Sequence, residues 1–203
     1  MAYFLVSILG YVLGCANLAR LLAKRKGVDL ASGGSGNPGA SNATILMGWR
    51  AGALVALHDV GKALAAVLLA GYLFPDKPGI RVIAGAACVL GHIFPAFLKF
   101  KGGKGFASYL GMILALNWKL GLAVIAAVLV ITLVLDYLVL GTTFTVICLP
   151  VYLILTAAGW IAVTGACIAS AVILLQHRAN YVRICKGTEI GLRSTLRKEH
   201  RVS

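Results

Sequence analysis

The sequence predicts an all-α integral membrane protein of about seven transmembrane helices, with the N-terminus outside and the C-terminus inside. Three observations carry this. First, of 203 residues, 60% are apolar and only 12% are charged, with a mean hydropathy of +0.93. A soluble domain is about 45–50% apolar and about 25% charged, so a water-soluble globule and a disordered chain are both excluded. Second, five or more stretches approach the roughly 20 apolar residues that cross a bilayer. Third, the basic residues crowd onto one side of the resulting topology.

The stretches follow in order. Residues 2–22 begin without a basic segment and are followed by further apolar runs, so they read as a retained first span rather than a signal peptide. Residues 45–74 form the second run, interrupted by Arg50, His58, Asp59 and Lys62. Residues 80–98 form the third. A long run, 106–135, is broken by Asn117-Trp118-Lys119, and the last, 144–176, is broken at Ala158-Gly159-Trp160. With both breaks read as turns, the count is seven. The piece Phe106–Leu116 is the shortest, and a re-entrant reading of it lowers the count; short elements at membrane depth are tolerated where they line a cavity. There is no long repeat, low-complexity tract or extramembrane domain, so residues 1–203 read as one integral domain.

Orientation follows from charge. The chain holds 19 Lys and Arg against 6 Asp and Glu, a net +13. On the seven-span topology, fourteen of the basic residues fall on one side: Arg20, Lys24, Arg25, Lys26, Lys99, Lys101 and Lys104, then seven from Arg178 to Arg201. Only Lys77, Arg81 and Lys119 fall on the other. The positive-inside rule makes the basic side cytoplasmic. On so apolar a chain this excess faces anionic lipid or a phosphorylated substrate rather than nucleic acid. The five cysteines make no CxxC or zinc spacing, so neither a disulfide framework nor a metal site is expected.

Three polar segments share the basic side. The first is Ser32-Gly33-Gly34-Ser35-Gly36-Asn37-Pro38-Gly39-Ala40-Ser41-Asn42. Its glycines allow close backbone approach, and successive N–H groups form an anion nest to which Ser and Asn side chains add donors. It leads into a helix N-terminus, itself an anion site. A generic Gly/Ser stretch is more often a linker; the two asparagines and the lone proline set this one apart. The second runs from Gly91-His92 through Phe94-Pro95 to Lys99, Lys101, Gly102, Gly103, Lys104 and Gly105. It lacks Walker A spacing. Lys99 and Lys101 read equally as membrane anchors, whereas Lys104, between glycines, is the stronger ligand candidate. The third contains His177 and Asn180, three residues apart and so on one helical face. Within the second run, Asp59 and Lys62 are i, i+3 and His58 and Lys62 are i, i+4. A self-satisfied helix pair is the plainer reading, though ionisable residues in spans are functional candidates by default.

These segments resemble the three motifs of the bacterial acyl-phosphate-dependent glycerol-3-phosphate acyltransferases, the PlsY family. Residues 35–42 resemble its SGNxGA[TS]N motif, residues 91–105 its second motif, and His177-Arg178, Asn180, Arg183 and Lys186-Gly187-Thr188-Glu189 its third. The resemblance spans essentially the whole chain. It implies an inner-membrane, multi-pass bacterial enzyme that moves an acyl group from acyl phosphate to the 1-hydroxyl of sn-glycerol 3-phosphate, giving lysophosphatidic acid and phosphate at the first step of phospholipid synthesis. By motif position it implies His177, Asn180, Lys104 and Asn37 as catalytic residues. Ser35, Gly36, Ser41, Asn42, Gly102, Gly103 and Thr142 are implied as substrate or phosphate contacts. No cofactor or metal is implied, and the partners are the two substrates and the bilayer.

Two positions depart from the family pattern. The first motif continues with an arginine where this chain has Ile45, and Asp136 stands where relatives tend to be basic. Arg50 is five residues on, about 140° away around a helix, and is not a simple replacement. With the rest of all three motifs retained, the expectation is an active enzyme in which another cation, such as Arg50 or Arg178, takes over the phosphate contact. Two other classes fit the same residues: a small carrier of phosphate or lipid, and a diverged relative that binds without turnover. Carriers usually show paired broken helices, and no such repeat is present.

Overall fold

A computed structural model describes residues 1–193, and they are all-helical, with no strand among them. The basic residues Arg197, Lys198 and Arg201, counted in the charge asymmetry, lie outside the described residues. Ten α-helices follow in order. They are α1 (Ala2–Cys15), α2 (Leu18–Lys26), α3 (Ala40–Met47), α4 (Trp49–Leu73), α5 (Ile80–Ile93), α6 (Phe106–Leu116), α7 (Trp118–Leu135), α8 (Leu138–Leu155), α9 (Trp160–Gln176) and α10 (Arg178–Cys185).

Five stretches are long and apolar enough to cross a membrane: Ala2–Lys26, Trp49–Leu73, Ile80–Leu98, Trp118–Leu135 and Leu138–Leu155. The pair α9 and α10, bent by 46° at His177, is a sixth if taken as one span. Helix α6 has 11 residues and so rises about 16 Å, half of a ~30 Å hydrocarbon core. Its short length is compatible with the membrane because it is wrapped by protein: Tyr109, Met112 and Ile113 are fully buried. The Tyr109 hydroxyl lies 2.7 Å from Ser170 Oγ, which donates to the Val146 carbonyl at 2.8 Å, so these polar groups are paired rather than presented to lipid.

The breaks have local causes. Asn117 starts α7 by accepting from the Lys119 and Leu120 amides. The second apolar run is not continuous: Gly48, at φ 87, separates α3 from α4, so Ile45 belongs to a short helix and not to the long span. The first run is also interrupted. Ala16 is extended, and Asn17 caps α2 by accepting from the Arg20 amide at 3.0 Å. Helix α2 ends at Gly27 in the left-handed region, with Lys24, Arg25 and Lys26 in its last turn beside the negative end of its dipole.

Small residues let the helices touch. A Cβ at Gly10 or Gly14 would run into the carbonyls of Ala84 or Cys88, and one at Gly91 into that of Tyr11. Helices α1 and α5 therefore pack backbone to backbone, as membrane helices do where small residues face each other. The face of α7 bearing Leu129, Val130, Leu133 and Val134 is exposed. In water it would be a large apolar patch; in a bilayer it is the lipid-facing surface.

Candidate functional site

The ends of α2, α5 and α9 and the loops that follow them meet at one end of the molecule. They enclose a cleft of about 570 Å³ lined by residues that include Arg20, Lys24, Asn37, Gly102 and Gln176. The three polar segments, far apart in sequence, are thus neighbours.

The first segment is held by one side chain. Asn42, fully buried in α3, accepts the Ser35 amide at 2.7 Å on Oδ1 and donates from Nδ2 to the Leu30 carbonyl at 2.9 Å. Gly34 has φ 59 and packs so closely on Asn42 Oδ1 that a Cβ there would collide with it. Asn17 adds a second tie, from Nδ2 to the Pro38 carbonyl at 3.4 Å. So fixed, the loop displays Ser35, Gly36 in the left-handed region and Asn37. The Ser35 hydroxyl and the Asn37 amide have no side-chain partner among the described residues, and Asn37 lines the cleft. Ser41 is exposed in the first turn of α3.

The second segment is anchored from α5. The Gly102 and Gly103 amides donate to the Ile93 and His92 carbonyls at 3.0 and 3.1 Å. Gly103 lies against the His92 ring, leaving no room for a Cβ. The next residue, Lys104, is half-buried and donates from Nζ to Asn180 Oδ1 at 2.5 Å. That bond joins the second segment to the third. Burial, and secondarily the Arg183 charge, holds the Lys104 ammonium below the usual lysine range, with Glu189 acting the other way.

In the third segment, Asn180 Nδ2 donates to Glu189 Oε1 at 2.6 Å and Arg183 Nε to Glu189 Oε2 at 2.6 Å. A continuous chain therefore runs Lys104, Asn180, Glu189, Arg183. His177 is buried at the bend between α9 and α10, and its Nδ1 lies 2.8 Å from the Ile173 carbonyl. A carbonyl only accepts, so Nδ1 carries the proton and Nε2 of the neutral ring is an acceptor. No carboxylate contacts His177 among the described residues.

The remaining sequence candidates sit as follows. Thr142 is buried and its hydroxyl donates to its own helix at the Leu138 carbonyl, 3.2 Å away. Its neighbour Thr143 donates likewise to the Val139 carbonyl at 2.9 Å and also reaches the third segment, at 2.8 Å from the Tyr181 hydroxyl. Ile45 is exposed beside Gly34. Arg50 stacks on Trp49, 5.7 Å from the ring centroid, and Arg178 is exposed. Asp136, with φ 70, accepts the Leu192 amide on its carbonyl and the Arg193 amide on Oδ1, so an acidic residue here docks the chain after α10. Among the described residues no three His, Cys, Asp or Glu side chains are placed to hold a metal.

Two participants escaped the sequence reading. The resemblance includes Glu189 in the third motif and gives it no role of its own. The signal for it was Gly187: with φ 67 it reverses the chain after α10 and returns Glu189 onto the helix. Arg20 enters the sequence reading only through the charge asymmetry, yet it lines the cleft and donates from Nη2 to the Lys101 carbonyl at 2.7 Å, tying α2 to the second segment.

Comparisons with known proteins fit this arrangement. The family model for glycerol-3-phosphate acyltransferase matches residues 4–187. Glycerol-3-phosphate acyltransferase 1 of Oceanobacillus iheyensis is 35% identical over 208 residues, covering 98% of this chain and 99% of the relative. Glycerol-3-phosphate acyltransferase of Clostridioides difficile is 35% identical over 93% of this chain and 94% of the relative. Two crystal structures of PlsY, an integral membrane glycerol 3-phosphate acyltransferase, superimpose closely. The glycerol 3-phosphate form has a TM-score of 0.88 at 33% identity, over 95% of this chain and 96% of that one. The lysophosphatidic acid form has 0.86 at 32%, over 97% and 99%. On sequence and on fold, this chain belongs to the glycerol-3-phosphate acyltransferase family.

Proposed function

We propose that the chain transfers an acyl group from acyl phosphate to the 1-hydroxyl of glycerol 3-phosphate, with its site on the cytoplasmic face of a bacterial plasma membrane. The observation that carries this is the Lys104–Asn180 bond, which joins two motifs beside the cleft lined by the first. The orientation rests on the basic residues crowded at that end.

Both substrates carry phosphate, and the site offers what phosphate needs without a metal: a lysine, the donors of residues 35–37, and glycine amides. Acyl phosphate is a mixed anhydride with a good leaving group, so no covalent nucleophile is required. The substrate hydroxyl oxygen attacks the acyl carbon, a C–O bond forms, and the C–O bond to phosphate breaks. Lys104 uses one of three N–H donors on Asn180; the other two offset charge on the departing phosphate. Asn37, whose side-chain amide has no partner among the described residues, donates to the carbonyl oxygen as charge builds there. Asn42 holds the Ser35 amide and the Leu30 carbonyl and so shapes the loop. His177 Nε2 accepts from the attacking hydroxyl and orients it. The proton ends on the released phosphate, because among the described residues no carboxylate hydrogen-bonds His177 to hold an imidazolium. Asn180, set by Glu189, positions glycerol phosphate.

Purified protein in lipid nanodiscs should release phosphate from palmitoyl phosphate only when glycerol 3-phosphate is present, and should not use palmitoyl-coenzyme A. Equal rates with the thioester would remove the acyl-phosphate donor. Binding of glycerol 3-phosphate without turnover would instead favour the diverged, inactive relative to which Ile45 points.

A further inference from the structure

A second polar group lies apart from this site, inside the helix bundle. Asp59 and Lys62 in α4 and His92 in α5 are 3%, 7% and 4% exposed. Lys62 Nζ is 2.9 Å from Asp59 Oδ1 and 2.9 Å from His92 Nδ1, and it donates to the Gly14 and Ala16 carbonyls at 3.0 and 2.8 Å. Four acceptors thus share three ammonium hydrogens; an ammonium has no lone pair, so His92 Nδ1, which also lies 3.4 Å from Asp59 Oδ1, is an acceptor and the ring proton is on Nε2. The intrahelical pair expected from spacing exists, but it is only part of the cluster; His58 stands at its edge, 3.4 Å from Asp59.

An ion pair that merely satisfied itself would not need two further helices. This one touches three, and its outer contacts lead to both glycine loops. On one side, Lys62 occupies carbonyls at the end of α1 that lose their helical donors where the chain breaks at Ala16. That break sets Asn17, which caps α2 and holds Pro38 of the first loop. On the other side, His92 accepts the Gly103 amide on its carbonyl, and its ring is packed against Gly103, next to Lys104. Swapping a buried ion pair for apolar groups is often neutral or stabilising, so stability alone does not account for such a group.

We propose that Asp59, Lys62 and His92 form a buried positioning pin that holds the two glycine loops in register for phosphate, through the α1 break on one side and through His92 against Gly103 on the other. The inference rests on the acyltransferase reading of the site for its kinetic readout. The three residues touch no substrate; they act through Asn17 and Gly103. A misplacement of about 1 Å at a reacting centre is enough to cost roughly a hundredfold.

Two variants of the full chain in nanodiscs separate a pin from mere helix glue. In His92→Asn, the amide oxygen replaces Nδ1 as the acceptor for Lys62, and only the ring beneath Gly103 is removed. Its thermal midpoint should stay near wild type while kcat/KM for glycerol 3-phosphate falls about tenfold or more, mostly in kcat. In Asp59→Asn with Lys62→Met, both charges leave together, so the fold should recover relative to Lys62→Met alone while the loss in kcat/KM persists. Activity within about threefold of wild type in either variant would overturn the pin. If wild-type protein shows no acyl transfer, the functional reading fails separately, and orthophosphate then serves as the probe. It should raise the thermal midpoint of wild type and not that of His92→Asn; equal shifts in both would overturn the pin.

Discussion

The two polar systems use the same chemistry to opposite ends. Each has a lysine, a carboxylate and a histidine or asparagine within hydrogen-bonding distance. In the intramembrane group, Lys62 is surrounded by two carbonyls, Asp59 and His92, so its ammonium has no donor to spare. In the other group, Lys104 hydrogen-bonds only Asn180 among the described residues, and the carboxylate of Glu189 is spent on Asn180 and Arg183 rather than on the lysine. A saturated cation holds structure; an unsaturated one, half-buried beside glycine amides, is available to a ligand. Burial of a charge is tolerated where its hydrogen bonds are met, by protein at Lys62 and by protein plus the proposed substrate at Lys104.

Exchanging the lysine in each group is the strongest way to break this contrast. Lys104→Ala should lower kcat/KM about a hundred- to a thousandfold, the scale of a lost electrostatic group, with little change in thermal midpoint. Lys62→Met should strand the buried Asp59 carboxylate and destabilise the fold by ~3–5 kcal/mol. Calorimetry and phosphate release on the same two preparations check both halves. A Lys104→Ala protein that keeps near-normal turnover would show that the site has been misplaced.

Removing the hydrogen bonds that shape the first loop comes next. Asn42→Ala leaves the Ser35 amide and the Leu30 carbonyl without their partner, and an unmet buried polar group costs ~1–3 kcal/mol. Because the loop is shaped and not lined by Asn42, the expected signature is a KM for glycerol 3-phosphate raised about tenfold. A pure loss in kcat, with KM unchanged, would place Asn42 in direct contact with the reacting atoms instead.

The pH response sharpens the contrast from the side of charge. Burial and Arg183 push the Lys104 ammonium below the ordinary lysine range. Its proton is therefore lost at lower pH than that of a free lysine, and with it the attraction for phosphate. The alkaline limb of kcat/KM should begin to fall before ordinary lysines titrate. In Lys104→Arg, whose guanidinium stays charged, the limb should move upward whatever the rate. A limb that does not move would assign it to another group.

The smallest effect is expected at Ile45. The family motif places an arginine there, and a charged hydrogen bond is worth about 1.5–3 kcal/mol, or about ten- to a hundredfold. Arg50 stacks on Trp49 beyond the Gly48 break. Arg20, in contrast, is already in the cleft with no carboxylate paired to it among the described residues. With that cation present, Ile45→Arg should raise kcat/KM by less than about threefold. A gain of about tenfold or more would mean that the contact is missing rather than replaced.

Much of this molecule was legible in its residues. Apolar run lengths set the helices, because a lipid solvent demands that each segment satisfy its own backbone. Asn117 and Gly159 marked breaks that the structure contains, and the order of the three polar segments pointed to one family and to Lys104, His177 and Asn180. What escaped the sequence were relations between distant residues. Gly48 looked like one more small residue in a long span, and only the break it makes, at φ 87, puts Ile45 on a separate helix. Asn42 enters the sequence reading as a contact implied by the resemblance; only the tertiary fold shows that it also holds the Ser35 amide and the Leu30 carbonyl. Glu189 acquired a partner only when the Gly187 turn brought it back to Asn180. Asp59 and Lys62 were a pair by helical spacing, but their link to His92 and to the end of α1 exists only once three helices pack. Periodicity and composition act along the chain and can be read there; the pairing of a buried polar group is chosen by whatever the fold brings within 3 Å of it, roughly one hydrogen-bond length.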